Sequence, residues 1–337
     1  MKAAVWHGPY SIKIEERDPL TLEGGEVLVK VRATGICGTD IMIYEGKFPR
    51  ARPPLVPGHE VAGEIAETRD VPADLKKGDR VVVFPLISCG KCIACRMGVQ
   101  NTCQHLQVLG NDIDGSFSEY MKTSYDKLYR IPNDYSFEKA SLVEPACVAF
   151  HAVKRACISV GDTVVIQGAG PIGILTGSIA RISGASKIIM SEVQKYRMGL
   201  ARNLGFTVID ASADDVVAEV RRLTDGRGAD VVFTAAPVKQ AAVEITRMIR
   251  PRGKVVIFAL FKEPVPVDLI NLTFTEGCIC GSRVYTPVDF ERTVGLVVSG
   301  ELDVDRLITH RIGLQDVEEG IRTVQNGQDV MKVIVRP

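Results

Sequence analysis

The stretch Val164–Gly173 reads VVIQGAGPIG. Val164, Val165 and Ile166 are β-branched and apolar, as a strand buried in a parallel sheet requires. The chain then turns through Gly168, Ala169 and Gly170, and an apolar run with helical spacing resumes from Pro171 to Ile182. Proline suits the first turn of a helix, where no backbone donor is needed. The glycines therefore fall between a strand and a helix N-terminus, where the G-x-G-x-x-G spacing has a physical meaning. Gly168 makes the tight turn, Gly170 lets a pyrophosphate approach the backbone, and Gly173 packs helix against strand. The free N–H groups of the helix face the anion. A second strand, Lys187–Ser191, ends at Glu192, close to the spacing of the acid that accepts from the ribose hydroxyls of NAD. That carboxylate repels a 2′-phosphate by about 4 kcal/mol at a surface-like dielectric, which favours NAD over NADP. Lys195 and Arg197, just beyond it, soften the preference.

Outward from this stretch, strands and helices alternate. Thr163–Gln167, Lys187–Ser191, Thr207–Asp210, Val231–Thr234, Lys254–Ala259 and Ile279–Ser282 read as strands, with helices at Tyr196–Leu204 and Val216–Leu223 between them. That is a doubly wound parallel sheet over residues 146–285. Residues 1–145 are β-rich instead, with short runs such as Glu26–Ala33, Val61–Ala66 and Arg80–Phe84 between Gly, Pro and charged turns. After Thr286 a helix at Phe290–Val298 and a strand at Met331–Val335 are expected to return to the first domain, completing it with residues 286–337.

The 337 residues suit two domains, and 46% apolar composition suffices for two cores. Lys and Arg balance Asp and Glu at 41 each, leaving no basic face for nucleic acid and no acidic tail. No apolar run approaches a membrane span. The start, MKAAVWHGPYSIKIEE, reads as a strand, a turn at Gly8–Pro9 and a strand rather than a signal peptide, so a cytoplasmic protein is expected.

Of nine cysteines, four cluster as Cys89-x2-Cys92-x2-Cys95-x7-Cys103. Four thiols this close match a tetrahedral zinc with four thiolate ligands and no open position, hence a structural role. A second set is dispersed: Cys37 in GICGTD, His59 and Glu60 in PGHE, and Glu144 in LVEPAC. A sulfur, an imidazole and one or two carboxylates suit a catalytic zinc with an open position. Cys37 reads equally as a buried core thiol, His59 as a hydrogen-bonded strand histidine, and Glu144 as a helix-start carboxylate. Adjacent residues on a regular strand face opposite ways, so His59 and Glu60 share a metal only if the chain bends at Gly58.

The motifs GICGTD, PGHEVAGE, CGKCIACRMGVQNTC, LVEPACVAFHA and VVIQGAGPIGI, in this order over essentially the whole chain, resemble the zinc-dependent medium-chain dehydrogenase/reductase superfamily. The Glu of LVEP resembles its polyol branch (sorbitol or L-iditol, butanediol and galactitol-phosphate dehydrogenases), with L-threonine 3-dehydrogenase close by. The resemblance implies an α/β chain: a GroES-like β-rich catalytic domain plus a Rossmann doubly wound domain, with the active site in the cleft between them. It assigns Cys37, His59 and Glu60 to a catalytic zinc. Glu144 becomes a ligand or holds the metal's water, and Thr39 contacts the substrate hydroxyl and begins the proton relay. It also assigns Cys89, Cys92, Cys95 and Cys103 to a structural zinc. For NAD it maps Ile172, beside Gly168, Gly170, Pro171 and Gly173, to the phosphate turn, and Glu192 and Arg197 to the adenosine ribose. Ala259, Leu260, Ser282 and Arg283 map to the nicotinamide side. The reaction implied is hydride transfer between a secondary alcohol or polyol and NAD, in a homodimer or homotetramer.

One departure concerns the relay. Many relatives carry histidine where Met42 stands here, and a thioether has no proton to pass on. This weakens the main alternative, L-threonine 3-dehydrogenase or another amino-alcohol dehydrogenase, more than the polyol reading. A catalytically silent zinc- and nucleotide-binding scaffold is an alternative of another class. His7, His105, His151 and His310 lack partners at metal spacing. Trp6 and Tyr44 read as cleft or core, Arg50–Arg52 as solvated, and Cys278-x-Cys280 as core packing on a strand.

Overall fold

The computed structural model describes residues 1–261 and 263–337. The chain divides into two compact units, Met1–Glu144 with Thr286–Pro337, and Pro145–Tyr285. The first unit opens with an antiparallel hairpin, β1 (Lys2–Gly8) and β2 (Ser11–Glu16). There follow β3 (Glu26–Gly35), α1 (Gly38–Tyr44), β4 (Glu60–Thr68), β5 (Arg80–Val83), β6 (Leu86–Ile87), α2 (Ile93–Arg96), β7 (Gln107–Val108), β8 (Tyr120–Ser124), β9 (Leu128–Arg130) and α3 (Phe137–Ser141). Helix α4 (Val143–Ala156) comes next.

The second unit is β10 (Thr163–Gln167), α5 (Pro171–Ile182), β11 (Lys187–Glu192), α6 (Lys195–Asn203), β12 (Thr207–Asp210), α7 (Val216–Leu223), β13 (Ala229–Thr234), α8 (Lys239–Met248), β14 (Ile249–Ile257), α9 (Leu269–Phe274) and β15 (Cys278–Gly281). The strands form one sheet in the order β12-β11-β10-β13-β14-β15, and every pairing is parallel. The direction of winding reverses between β10 and β13, the point at which such sheets hold ligands beyond their carboxyl ends. The Gly168 turn leaves β10 at that point. All five residues of β10 are buried, which is why its centre, Val164–Ile166, is apolar and β-branched.

The chain then returns through α10 (Pro287–Val298), β16 (Ile308–Gly313), α11 (Val317–Asn326) and β17 (Lys332–Arg336). These complete the first unit's sheet, ordered β16-β17-β3-β4-β5-β9, with β8 on β3. The register sets Ile334 opposite Gly35, and Gly35 opposite Glu60, across three adjacent strands. Along most of β3 buried and partly exposed residues alternate, as an antiparallel strand with one wet face requires. Helix α11 packs on α1: Tyr44 is buried, donates to Glu318 Oε1 at 2.8 Å and accepts from Arg322. Trp6 and Tyr44 are both core residues.

Two expectations need correcting. Cys278 is exposed and Cys280 only half-buried, so this pair is not core packing: β15 is the last strand of its sheet, and one side has no neighbour. Arg50 is not merely solvated: it donates to Leu106 O at 2.9 Å and pairs with Asp112 at 3.1 Å.

Asp230, buried in β13, ties three strands of the second unit together. It accepts from Thr163 N at 2.7 Å and from Arg250 Nε at 2.5 Å. Burial works against its charge, but the Thr163 amide and the Arg250 guanidinium outweigh burial and lower its pKa from the ordinary 3.8. Asp230→Ala leaves both donors unpaired and is expected to cost about 1–3 kcal/mol. Because the native pKa is depressed, the wild-type advantage is complete above pH 3.8 and drains away as pH falls through the lower native value. Urea unfolding of both proteins at neutral pH and near the acid limit checks this; an advantage unchanged in acid refutes it.

Candidate functional site

Two groups of ligand-type side chains gather among the described residues, each with its ligand atoms within 4.8 Å of one another. The first is Cys89, Cys92, Cys95 and Cys103. Cys92 N-caps the single turn of α2, and Cys95 lies within that turn. Cys92 Sγ is 3.5 Å from Cys95 Sγ and 3.8 Å from Cys103 Sγ. A tetrahedron with metal–sulfur bonds of about 2.3 Å has edges of about 3.8 Å; a disulfide needs about 2.0 Å. The backbone N–H groups of Cys89 and His105 both donate to Cys103 Sγ at 3.3 Å, as outer-shell donors to a thiolate do. Backbone donors from Cys95 and Gln104 hold Cys92 down to about 6, and desolvation pushes Cys95 up to about 11. The geometry fits a four-thiolate zinc.

The second group is Cys37, His59 and Glu60. Cys37 N-caps α1, and Asp40 at the third helical position accepts from Cys37 N at 2.8 Å, a capping box that fixes the thiol's base. Gly58, at φ +95°, turns the chain before His59, and β4 begins only at Glu60. His59 and Glu60 are therefore not consecutive residues of a regular strand, and the opposite-face objection falls. The turn at Gly58 has no room for side chains around it: a Cβ on Gly110 or Gly115 would stand 2.2 or 2.1 Å from Gly58 O.

His59, Glu60 and Asp40 are all buried. Burial alone would lower the His59 pKa, but Cys37 and Asp40 raise it well above the ordinary value. Burial raises the Asp40 pKa, against the opposing pull of His59. Asp40 Oδ1 and His59 Nδ1 are buried without hydrogen-bond partners and stand 3.8 Å apart. Closing by about 1 Å would give the carboxylate–histidine bond that orients a metal-ligating imidazole. Among the described residues this is the donor set that fits a zinc with an open position. Thr39 Oγ1 is 3.8 Å from Cys37 Sγ. Glu144, buried in the first turn of α4, is not one of the three clustered ligands, but its charge reaches both His59 and Lys332.

Lys332 was not legible in the sequence. Its Nζ donates to Glu60 Oε1 at 2.7 Å, Glu60 Oε2 at 2.8 Å and Ile36 O at 3.2 Å, with both partners buried. The lysine reaches Glu60 across β3 at Gly35, where a Cβ would stand 2.0 Å from Glu60 Oε2. Burial would lower the lysine's pKa, but Glu60 outweighs it and the net shift is upward. The one signal in the sequence was a lysine heading the otherwise apolar run Val333–Val335; a buried cation needs an acid, but sequence does not say which.

In the second unit Gly168 holds φ +101°, a left-handed turn suited to glycine. Gly170 N-caps α5, with Pro171 and Ile172 following in its first turn. A Cβ on Gly173 would stand 2.0 Å from Gly168 O, so helix and turn touch only because it is absent. At Gly170 a Cβ would meet only Arg197 Nη1, at 3.6 Å, which leaves the backbone open to an anion. Arg197 Nε is buried without a partner. Glu192 is no solvated strand end: Oε2 accepts from Ala169 N at 2.9 Å, and Oε1 from Val193 N at 2.7 Å and Gln194 N at 3.0 Å. A carboxylate has about four acceptor positions, so it pins the glycine turn and keeps capacity for a ribose. Ala259 N donates to Thr234 O and Ser282 N to Ile257 O, setting Ala259, Leu260, Ser282 and Arg283 just beyond the carboxyl ends of β14 and β15. The open anion turn, the unpartnered Arg197 Nε and the acid fit a dinucleotide.

The chain matches the family model of the alcohol dehydrogenase GroES-like domain over residues 23–133 and that of zinc-binding dehydrogenases over residues 171–299. It is 33% identical to sorbitol dehydrogenase of Bacillus subtilis (strain 168), covering 100% of this chain and 97% of that one. It is 36% identical to L-threonine 3-dehydrogenase of Pyrococcus furiosus, covering 95% and 93%. Among solved structures, a zinc-binding dehydrogenase from Sinorhizobium meliloti 1021 bound to NADP superposes with a TM-score of 0.95 at 33% identity, covering 100% and 99%.

Lys332→Met removes the counter-ion of a buried carboxylate and is expected to destabilise the chain by about 3–5 kcal/mol. Gly35→Ala displaces Glu60 without removing any charge. Both variants should lose one of two bound zinc ions while the four-cysteine lobe keeps its own. Metal content per chain, beside thermal unfolding, reads this out; full zinc occupancy in Gly35→Ala would show that Glu60's placement is irrelevant to the metal.

Proposed function

We propose that the chain, which belongs to the zinc-dependent medium-chain dehydrogenase/reductase superfamily, is an NAD-linked dehydrogenase of secondary alcohols and polyols. The observation that carries this reading is the convergence of half-buried Cys37 with buried His59 and Glu60, with the Thr39 hydroxyl beside the Cys37 sulfur. When bound, zinc supplies a Lewis acid for the substrate hydroxyl, and the nicotinamide supplies the hydride acceptor.

The chain's residues do the rest. Cys37 and His59 hold the metal, and Asp40 orients the imidazole. Lys332 donates to both oxygens of Glu60 and holds it in place, so Glu60 would offer the metal a tethered carboxylate. Glu144 supplies a second carboxylate to hold the metal or its water. Thr39 Oγ1 takes the substrate's hydroxyl proton and passes it outward, and Met42 cannot serve as the next carrier, so water or the cofactor's ribose hydroxyls continue the route. Gly168, Gly170, Ile172 and Gly173 seat the pyrophosphate, and Glu192 and Arg197 take the adenosine ribose. Ala259, Leu260, Ser282 and Arg283 line the nicotinamide end. Glu192 also supports NAD over NADP, although the S. meliloti relative holds NADP. Cys89, Cys92, Cys95 and Cys103 hold a second zinc that staples their lobe. The threonine dehydrogenase reading has the 36% relative in its favour and the missing histidine at Met42 against it.

The catalytic unit is proposed to be a homo-oligomer. Supporting this, Leu269, Ile270 and Phe274 on the short helix α9 are 63%, 72% and 86% exposed, an apolar surface a lone chain would leave wet. No helix among the described residues is long and apolar enough to cross a membrane.

Sorbitol, xylitol, butanediol, inositols, galactitol 1-phosphate and threonine, each with NAD and with NADP, should separate the readings at the NADH absorbance: turnover is expected on polyols with NAD. Cys37→Ser is expected to lower turnover by at least about 10³-fold, the scale of losing transition-state charge stabilisation, while NAD still quenches the protein's fluorescence. Unchanged turnover in that variant would remove the metal from the mechanism, and a wild type that binds NAD but turns over nothing would favour the scaffold. Phe274→Asp should lower the mass measured by light scattering.

A further inference from the structure

The first unit holds a cavity that neither the metal residues nor the dinucleotide residues use. It encloses about 820 Å³, within the range of about 300–1,000 Å³ typical of small-molecule sites. Every described residue that lines it belongs to the first unit, and none of Cys37, Thr39, His59, Glu60 and Glu144 is among them. Its frame is fixed by hydrogen bonds. One wall is the pairing of Val56 with Asp114 and Gly115: Asp114 Oδ1 accepts from Val56 N at 2.9 Å, and Gly115 N donates to Val56 O at 2.7 Å. The segment that leaves β2 is pinned at both ends. Arg17 Nη1 donates to Asp114 Oδ2 at 3.2 Å, and Lys122 Nζ donates to Thr21 O at 3.3 Å. Asp18, Pro19 and Leu20, between those pins, line the cavity.

The lining has two chemical characters. Ile87, Leu109, Ile113 and Met121 bring apolar surface from the core under β3, β4 and β5. Ile87 and Ile113 are only half-buried, so part of that surface stays wet, and an occupant with an apolar body would dry it. The charged groups are unequally committed. Arg17 is held by Asp114, Lys122 by Glu26 at 3.0 Å and Lys127 by Asp126 at 3.0 Å. Among the acids, Glu15 is 2.6 Å from His7 Nε2, while Asp18 has no partner among the described residues. Glu16 has only the Met1 amine, at 3.6 Å, and is 74% exposed. Every lysine and arginine of the lining is thus already engaged, and two carboxylates remain to take a cation.

We infer that this cavity is a binding site for an organic cation, a primary amine carried on an apolar chain or ring. The apolar part lies against Ile87, Ile113 and Met121, and the ammonium faces Asp18 and Glu16. Both carboxylates are exposed, so water and salt screen them, and their charge supplies discrimination more than affinity. A unit pair at 4 Å in water is worth about fivefold in binding. Burial of the apolar body supplies the rest. The site is separate from the proposed dehydrogenase chemistry and does not depend on it.

The probes are 4-phenylbutylamine, 4-phenylbutanol and 4-phenylbutyrate, which carry one apolar body and three different heads. Each is titrated by calorimetry into the full-length, zinc-loaded protein at neutral pH. The amine is expected to bind saturably, one per chain, at least about fivefold tighter than the alcohol, with the acid weakest. Asp18→Asn combined with Glu16→Gln should bring the amine down to the level of the alcohol and leave the alcohol unchanged. Leu20→Trp fills the cavity and should abolish binding of all three; both acids are exposed, so the double variant tests the head even where Leu20→Trp fails to fold. Saturating NAD and sorbitol should leave the amine's affinity unchanged. The inference is overturned by no saturable binding, by an acid that binds as tightly as the amine, by an amine affinity unaltered in the double variant, or by displacement with NAD or sorbitol. A fall in the light-scattering mass on adding the amine also overturns it, because the cavity would then belong to an interface between copies. None of these readouts needs turnover, so failure here and failure of the dehydrogenase reading are distinguishable.

Discussion

A lysine reaching over a glycine to a buried carboxylate holds the metal side of this molecule together. Lys332 lies on the last strand, Glu60 on the fourth, and Gly35 on the strand that separates them. The two charges are 272 residues apart in the chain and under 3 Å apart in the fold. Placing both in a dry interior costs several kcal/mol per ion before their attraction is counted. Such a pair is poor evidence for stability and good evidence for placement. It holds Glu60 toward Cys37 and His59, and it does so only if the final segment of the chain joins the first unit's sheet.

The two ends of the proposed chemistry are organised by opposite means. Around Cys37 the devices are charged and buried: Asp40 caps the helix under the thiol, His59 lies between a thiol and an acid, and Lys332 neutralises Glu60. Around Gly168 the device is missing matter. Gly168 can take a left-handed φ, and Gly173 lets a helix touch a turn. Glu192 bridges the two strategies, since its charge is spent partly on three backbone amides, one of them inside the glycine turn. An acid read as a contact for a sugar thus also stiffens the anion-binding turn.

Much of the fold could be read from residue patterns. Thr163–Gln167, Thr207–Asp210 and Val216–Leu223 were expected with the bounds they have, because each strand centres on β-branched apolar residues and α7 carries a strong amphipathic pattern. The four-cysteine lobe was equally plain, since its ligands lie within one short loop. The exposed face of Cys278 and Cys280 was not. A parallel strand has much the same composition at the edge of a sheet as at its centre, so nothing local says which neighbour is missing.

From its sequence alone this chain declared a β-rich unit, a dinucleotide turn and a thiolate metal lobe. Each of those depends on residues close together in the chain, whose spacing translates directly into geometry. Tertiary structure decided the rest: that Cys37, His59 and Glu60 converge, that Lys332 is the counter-ion, and that Glu192 turns onto the backbone. Most of these are encounters between residues far apart in the chain, and the Lys332–Glu60 contact depends on strand register and on the absence of a Cβ at Gly35, which no local pattern encodes.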